Sequence, residues 1–381
     1  MRSSDMRKTG HRTCARHQYI GKNIFHNATS LFGLVLLLWI MSNTASAQSF
    51  RNEWINYNKT YYRFAVTPTN TVTGVANNHI QKADYNLLHR IPYATLLANG
   101  LAGTPVEHFQ LIRNGVEVPM YTYPASGIMS SDGYLEFWGK ANDGQTDKDL
   151  FRNTANQLND RWSMFSDTAY YYLTVNTETV NQRIISVAHN PLASSLTPDS
   201  FFMHSILVNP RSSRNLGFAI NIQGKDVRSS SFEAGEGWAD VRFGSSPFTI
   251  GLGKLFSFKN TTARISASYW AQGLSNANKT YEMRLNDSIL GTRAFRRYNP
   301  DSAFYSNIPL SRINASDSTN ITIRLNVLDG GYRHAISKVR FTYPRKFEFD
   351  KTTAAFVFSL PASAGSKLLK WVNFDTSNTE K

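Results

Sequence analysis

Asn142, Asp143, Asp147 and Asp149 crowd into one short stretch, with Gly144 among them. Side-chain oxygens at that density suit Ca²⁺, which takes about 6–8 oxygen ligands from a flexible loop. The spacing departs from that of an EF-hand, and Asn, Asp and Gly are also ordinary turn formers. A structural Ca²⁺ site and a solvated turn are therefore the two readings, and no other cofactor is expected. Further along, Glu233-Ala234-Gly235-Glu236-Gly237-Trp238 places an indole beside a backbone able to bend tightly. Trp238, and Trp270 after it, are candidate platforms for stacking a sugar ring. The alternative is that each anchors a packed core, as large aromatics commonly do.

Other chemistries lack their residues. After residue 47 the histidines are His79, His89, His108, His189, His204 and His334, and none lies three or four positions from another. No His-Glu-x-x-His, Gly-x-Ser-x-Gly or Gly-x-x-x-x-Gly-Lys string occurs. Cys14 is the only cysteine. No catalytic residue is assigned.

The first 47 residues read as an export signal. Arg2, Arg7, Lys8, Arg12, Arg16 and Lys22 form a basic start, Leu31–Met41 is apolar, and Ala45-Ser46-Ala47 offers a cleavage site. The apolar run is well short of the ~20 residues that span a bilayer as a helix, and no later run approaches that length. The expected location is the periplasm, outer membrane or cell surface. Removing the leader takes five from the formal charge of +14 and removes Cys14, so the remainder has no disulfide. The remaining cations, such as Arg264, Arg284, Arg324 and Arg340, alternate with apolar residues as on the solvated face of strands. Nucleic-acid binding, which needs clustered cations with stacking aromatics, is not expected.

The elements that must position these residues are mainly β. Residues 48–190 read as a mixed α+β domain. It has strands at Thr60–Val66, Leu135–Trp138 and Ala169–Val175, and a helix over Ile80–Ile91 stopped by Pro92. Phe109–Ile112 and Val116–Tyr121 form a hairpin about Asn114-Gly115, because Asn-Gly readily takes positive φ. Lys140–Trp162 is polar and reads as a surface loop. Residues 191–200 serve as a linker. Residues 201–375 predict a jelly-roll-like antiparallel β-sandwich: Ile321–Val327 alternates strictly, and Val339, Phe341 and Tyr343 oppose Lys338, Arg340 and Thr342. Tyr281–Leu285 and Ser288–Leu290 flank an Asn286-Asp287 turn. Phe356–Leu360 and Leu368–Val372 are expected to be the last strands, followed by a polar tail over 376–381.

Six strings, in order, carry a family resemblance. They are Asn52–Tyr57 with Tyr61-Tyr62, Arg113–Pro119, Asp132–Asp149, Ser163–Thr174, Gly235–Trp238 and Val339–Arg345. Together they resemble the non-catalytic N-terminal region of PorU-type proteins, gingipain-like cysteine peptidases that act as sortases of the type IX secretion system. The resemblance implies an exported scaffold whose partners are type IX components or secreted cargo, with surface glycan as the alternative ligand. In that family a peptidase domain with a His and Cys pair follows. Residues 1–381 hold no such domain, so no catalytic residue carries over. A truncated form of the larger enzyme is the expectation, and a free-standing carbohydrate- or protein-binding module is the alternative.

Overall fold

Alternation of apolar and polar residues leaves a strand with one face that must be covered, and this chain covers such faces with other sheets. The computed structural model describes residues 52–67, 87–185, 195–313, 321–351 and 356–374, leaving out 218, 245–246, 254, 276, 331, 357, 359 and 363–364. The export signal and the Ile80–Asn86 part of the expected helix lie outside them. Chain contacts divide the protein into Met1–Asn56 and Tyr57–Lys381. Of the first unit, the backbone at 52–56 contains a turn closed by Ile55 N–H donating to the Asn52 carbonyl at 3.0 Å.

The second unit begins with seven strands: β1 (Tyr62–Val66), β2 (Leu87–Pro92), β3 (Phe109–Arg113), β4 (Val116–Glu117), β5 (Met120–Tyr123), β6 (Tyr134–Gly139) and β7 (Ala169–Val175). They form two antiparallel sheets, ordered β1-β7-β3-β4 and β2-β6-β5. Val66, Phe109, Leu111, Tyr171 and Leu173 of one sheet meet Ile91, Met120, Leu135 and Phe137 of the other in a shared core. Each such buried side chain contributes roughly 1.5–3 kcal/mol.

Pro92 starts a helix where it was expected to stop one. Leu87–Pro92 is a strand, and α1 (Tyr93–Ala98) follows it. Leu88 and Arg90 are exposed while Ile91 is buried, a period of two that overrides the helical spacing. Proline suits a helix start, because the N–H it lacks would have no intrahelical partner there. The Asn114-Gly115 turn is present, with φ of 50° and 78°. Its second arm is split: β4 pairs with β3, whereas β5 crosses to the other sheet after Pro119.

Twelve strands follow: β8 (Phe201–Val208), β9 (Ser213–Leu216), β10 (Ile220–Ile222), β11 (Lys225–Val227), β12 (Glu236–Gly244), β13 (Phe248–Gly251), β14 (Ile265–Gly273), β15 (Lys279–Leu285), β16 (Ser288–Phe295), β17 (Pro300–Ile308), β18 (Thr322–Val327) and β19 (Tyr332–Lys346). One sheet runs β17-β14-β19-β12-β9, with β8 also on β19, and the second runs β13-β18-β15-β16. Ile265, Ala267, Tyr269, Val339 and Phe341 from the first pack against Phe248, Met283, Leu285, Ile323 and Leu325 from the second. The chain is therefore mainly β, with an antiparallel sandwich as read from the alternation. Arrival and departure coincide in this sandwich: Phe201, at the start of β8, is the Cα partner of Lys346, at the end of β19.

Two other expectations are corrected. Among the described residues 347–374 adopt no strand, and β19 is the sandwich's last. That segment instead gathers Phe347, Phe349, Phe358 and Trp371 around Phe202, with ring centroids 4.7–5.9 Å apart in the contacts of Trp371 and Phe202. Aromatic bulk, rather than strand alternation, is what its sequence encodes. Lys140–Trp162 is likewise no solvated loop. It holds 3₁₀ turns at Gly144–Leu150 and Thr154–Asn156, and it buries Asp147, Leu158, Asn159 and Trp162.

Candidate functional site

The 140–162 segment is pinned at both ends and in its middle. At the start, the Tyr171 hydroxyl accepts from Lys140 N–H at 2.7 Å. Midway, the Asp147 carboxylate accepts from Ser163 Oγ at 3.0 Å and from Met164 N–H at 2.6 Å. Near the end, Asn159 Nδ2 donates to the carbonyls of Trp238 and Ser337 at 3.2 and 3.4 Å. Leu158 packs on Ala239 of β12 and Ala335 of β19. A polar segment thus becomes one wall over the outer face of the sandwich.

The candidate calcium ligands are engaged within this wall. Asn142 Nδ2 donates to the Ser166 carbonyl at 2.8 Å, and Asp143 caps the first 3₁₀ turn by accepting from Gln145 N–H at 3.1 Å. Asp147 is buried and Asp149 exposed. Among the described residues no three His, Cys, Asp or Glu side chains converge in a metal-binding group.

Trp238 is held as an anchor. Its indole N–H donates to the Ser163 carbonyl at 3.0 Å, and the Arg211 guanidinium lies between it and Trp162, 4.6 and 4.7 Å from the two rings. Arg211 is ion-paired with Asp167 in turn. Gly235, three residues earlier, has φ of +81°, and a Cβ there would stand 2.5 Å from Gln272 Nε2; Gly237, immediately before Trp238, has φ of +132°.

Trp270 is placed differently. It lines a cleft of about 440 Å³ between the 140–162 wall and the sheet, which Trp238 does not reach. Gln145, Lys148, Thr154, Gln157 and Asp160 come from the wall, and Trp270, Asp301, Ser302, Ser337 and Lys338 from the sheet. A β-bulge sits on the cleft floor. Trp270 pairs with Lys338 and Ala271 with Ile336, leaving Ser337 without a register partner. Ile336 and Val339 both point into the core, so the extra residue sends Ser337 and Lys338 together to the cleft side. Bulges re-aim side chains in this way. Lys338 Nζ is 3.1 Å from Asp160 and 4.9 Å from the Trp270 ring centroid. Asp301 is held by the Arg293 fork at 3.0–3.2 Å. On the same face, Phe304 is 69% exposed. It pairs with Ser268 while Trp270 pairs with Ser302, which makes the two rings diagonal neighbours, with Cα atoms roughly 7–8 Å apart. The arrangement offers an aromatic platform, amides, hydroxyls and charged groups around a groove.

Trp270, a candidate from the sequence, lies at the cleft, whereas its surroundings were not foreseen. Gln145, Gln157 and Asp160 were concealed in a segment read as solvated, and Lys338 in a strand face read the same way. A small residue followed by a lysine, as in Ser337-Lys338, does not announce a bulge.

No family model matches the chain, and no curated protein matches it. Among solved structures it is similar to dimeric latent PorU from Porphyromonas gingivalis, at 8% identity and a TM-score of 0.40, over 76% of this chain and 25% of that one. The likeness is distant. This chain spans about a quarter of that protein's length. It is also similar to the CBM36-1 domain of a multidomain xylanase from the hindgut metagenome of Trinervitermes trinervoides, at 14% identity and a TM-score of 0.22, over 36% and 96% of the two chains. A third likeness is to SGBP-B of the Bacteroides ovatus mixed-linkage glucan utilization locus, solved with a mixed-linkage heptasaccharide. It has 12% identity and a TM-score of 0.19, over 67% and 71%.

Proposed function

We propose that this protein is an exported, non-catalytic binding scaffold whose Trp270 cleft takes carbohydrate. The observation that carries the reading is the cleft itself: an indole on a sheet face, walled by the side-chain amides of Gln145 and Gln157 and by Ser302. Sugar rings present an apolar C–H face to an aromatic and hydroxyls to such amides, and sites of this kind combine apolar surface with a few placed polar groups. The exposed Phe304 extends the platform for a second ring.

The six ordered strings that resemble PorU-type N-terminal regions support a place in a type IX secretion setting, with the chain acting as the front part of a sortase-like assembly. On that reading the cleft faces envelope glycan while other surfaces meet secretion components or cargo. Crosslinking the exported protein in its own cell envelope tests this part. Recovery of secretion-machinery or cargo proteins supports it, and recovery of neither overturns it.

A glycan array probed with the full chain tests the cleft. Binding to oligosaccharides should disappear in Trp270→Ala, while that variant stays folded. Absence of glycan binding by the folded parent would sink the saccharide reading. Loss in Trp238→Ala alone would relocate the site.

A further inference from the structure

We infer that the saccharide held at Trp270 is anionic, carrying a carboxylate on or next to the stacked ring. This rests on the cleft being a saccharide site and names the class it selects. Two acidic side chains line the cleft, and each is already matched: Asp160 by Lys338 at 3.1 Å, and Asp301 by the Arg293 fork. Two further cations border the cleft or its platform. Lys148 lines the wall and is exposed. Arg340, exposed on the strand that carries Lys338, places its guanidinium carbon 5.6 Å from the Trp270 ring centroid. Among the described residues neither forms an ion pair with a carboxylate.

Two positive charges without a carboxylate partner among the described residues therefore border the site, Lys148 on the cleft wall and Arg340 beside the Trp270 ring. A neutral sugar gains only ordinary hydrogen bonds from them. A carboxylate on the stacked ring replaces their hydration with charge-assisted hydrogen bonds, and arginine's planar fork suits a carboxylate particularly well. Such exposed pairs are individually weak and screened by salt, so the expected preference for acidic over neutral ligand is about tenfold at low ionic strength and small above ~0.5 M.

Titration calorimetry on the full chain tests this with matched ligands: oligomers of galacturonate, glucuronate and mannuronate, each beside its carboxyl-reduced neutral counterpart, at low and high salt. The expected result is tighter binding of the acidic member at low salt. The preference should collapse at high salt and in the Lys148→Gln/Arg340→Gln double variant, while weak neutral binding survives. Equal binding of acidic and neutral partners overturns the charge inference and leaves the saccharide reading standing. Binding of neither, with the array also blank, removes both. Acidic binding that persists in Trp270→Ala, or is displaced as readily by inorganic sulfate, reduces the site to a simple anion patch and overturns the proposal.

Discussion

Single residues divide sharply between holding and binding. Asp147 is buried and accepts from Ser163 Oγ and Met164 N–H. Asp147→Ala strands both donors, so its unfolding free energy should drop by about 2–3 kcal/mol in urea titrations, with saccharide affinity falling as a consequence. Trp238→Ala removes the half-buried ring against Arg211 and should cost about 2–3 kcal/mol, at or below the roughly 3–5 kcal/mol of fully buried aromatics. Trp270→Ala should cost about 1–2 kcal/mol while abolishing binding, because its half-buried ring faces the cleft rather than a packed core. Two strongly buried histidines, His204 and His334, contribute to the acid limb. Burial holds His204 down to about 4, with positive Arg345 adding to the effect, and His334 to about 3. Both lie below the unfolded value near 6.5. Above about pH 6.5 neither matters. As pH falls from there towards 4, the unfolded chain binds protons the native state refuses, and stability declines by up to about 1.4 kcal/mol per pH unit per histidine. His204→Phe should flatten that slope between pH 6.5 and 4 in urea midpoints, and an unchanged slope would assign acid sensitivity elsewhere.

Elements show which parts of the fold were legible and why others were not. β18 was readable because Ile323, Leu325 and Val327, with Ile321 just before it, alternate and all turn inward. The β3–β4 turn was readable because Asn114-Gly115 fixes positive φ locally. In both, the signal and the structure lie within a few residues of each other. The 140–162 segment was not readable, because its burial comes from Asn159 reaching carbonyls on β12 and β19, many residues away in the chain. The Ser337 bulge, which builds the cleft floor, leaves no local composition mark. Asn159→Ala tests the wall as an element. It should cost about 2–3 kcal/mol from unmade hydrogen bonds and raise amide exchange across 144–162 ahead of the sandwich. Exchange rising uniformly instead would show that wall and sandwich open as one cooperative unit.

At the scale of the whole molecule, the cleft belongs to neither the N-terminal sheets nor the sandwich alone, since the wall descends from the first and the floor from the second. A ligand there should protect both together, with saturating saccharide at a hundred times its Kd raising stability by about 2.7 kcal/mol. The pairing of Phe201 with Lys346 bears on a different property. Because β8 and β19 run antiparallel with the chain arriving and leaving at the same end, tension applied through the flanking segments does not shear the sandwich. It peels β8 from β19 one hydrogen-bonded pair at a time, like a zipper opened from its slider. In optical-trap pulling from those two points the sandwich should yield at much lower force than when pulled across the sheet. It is a module that can be spliced into a longer chain at one spot, suited to presenting a surface and poorly suited to carrying load.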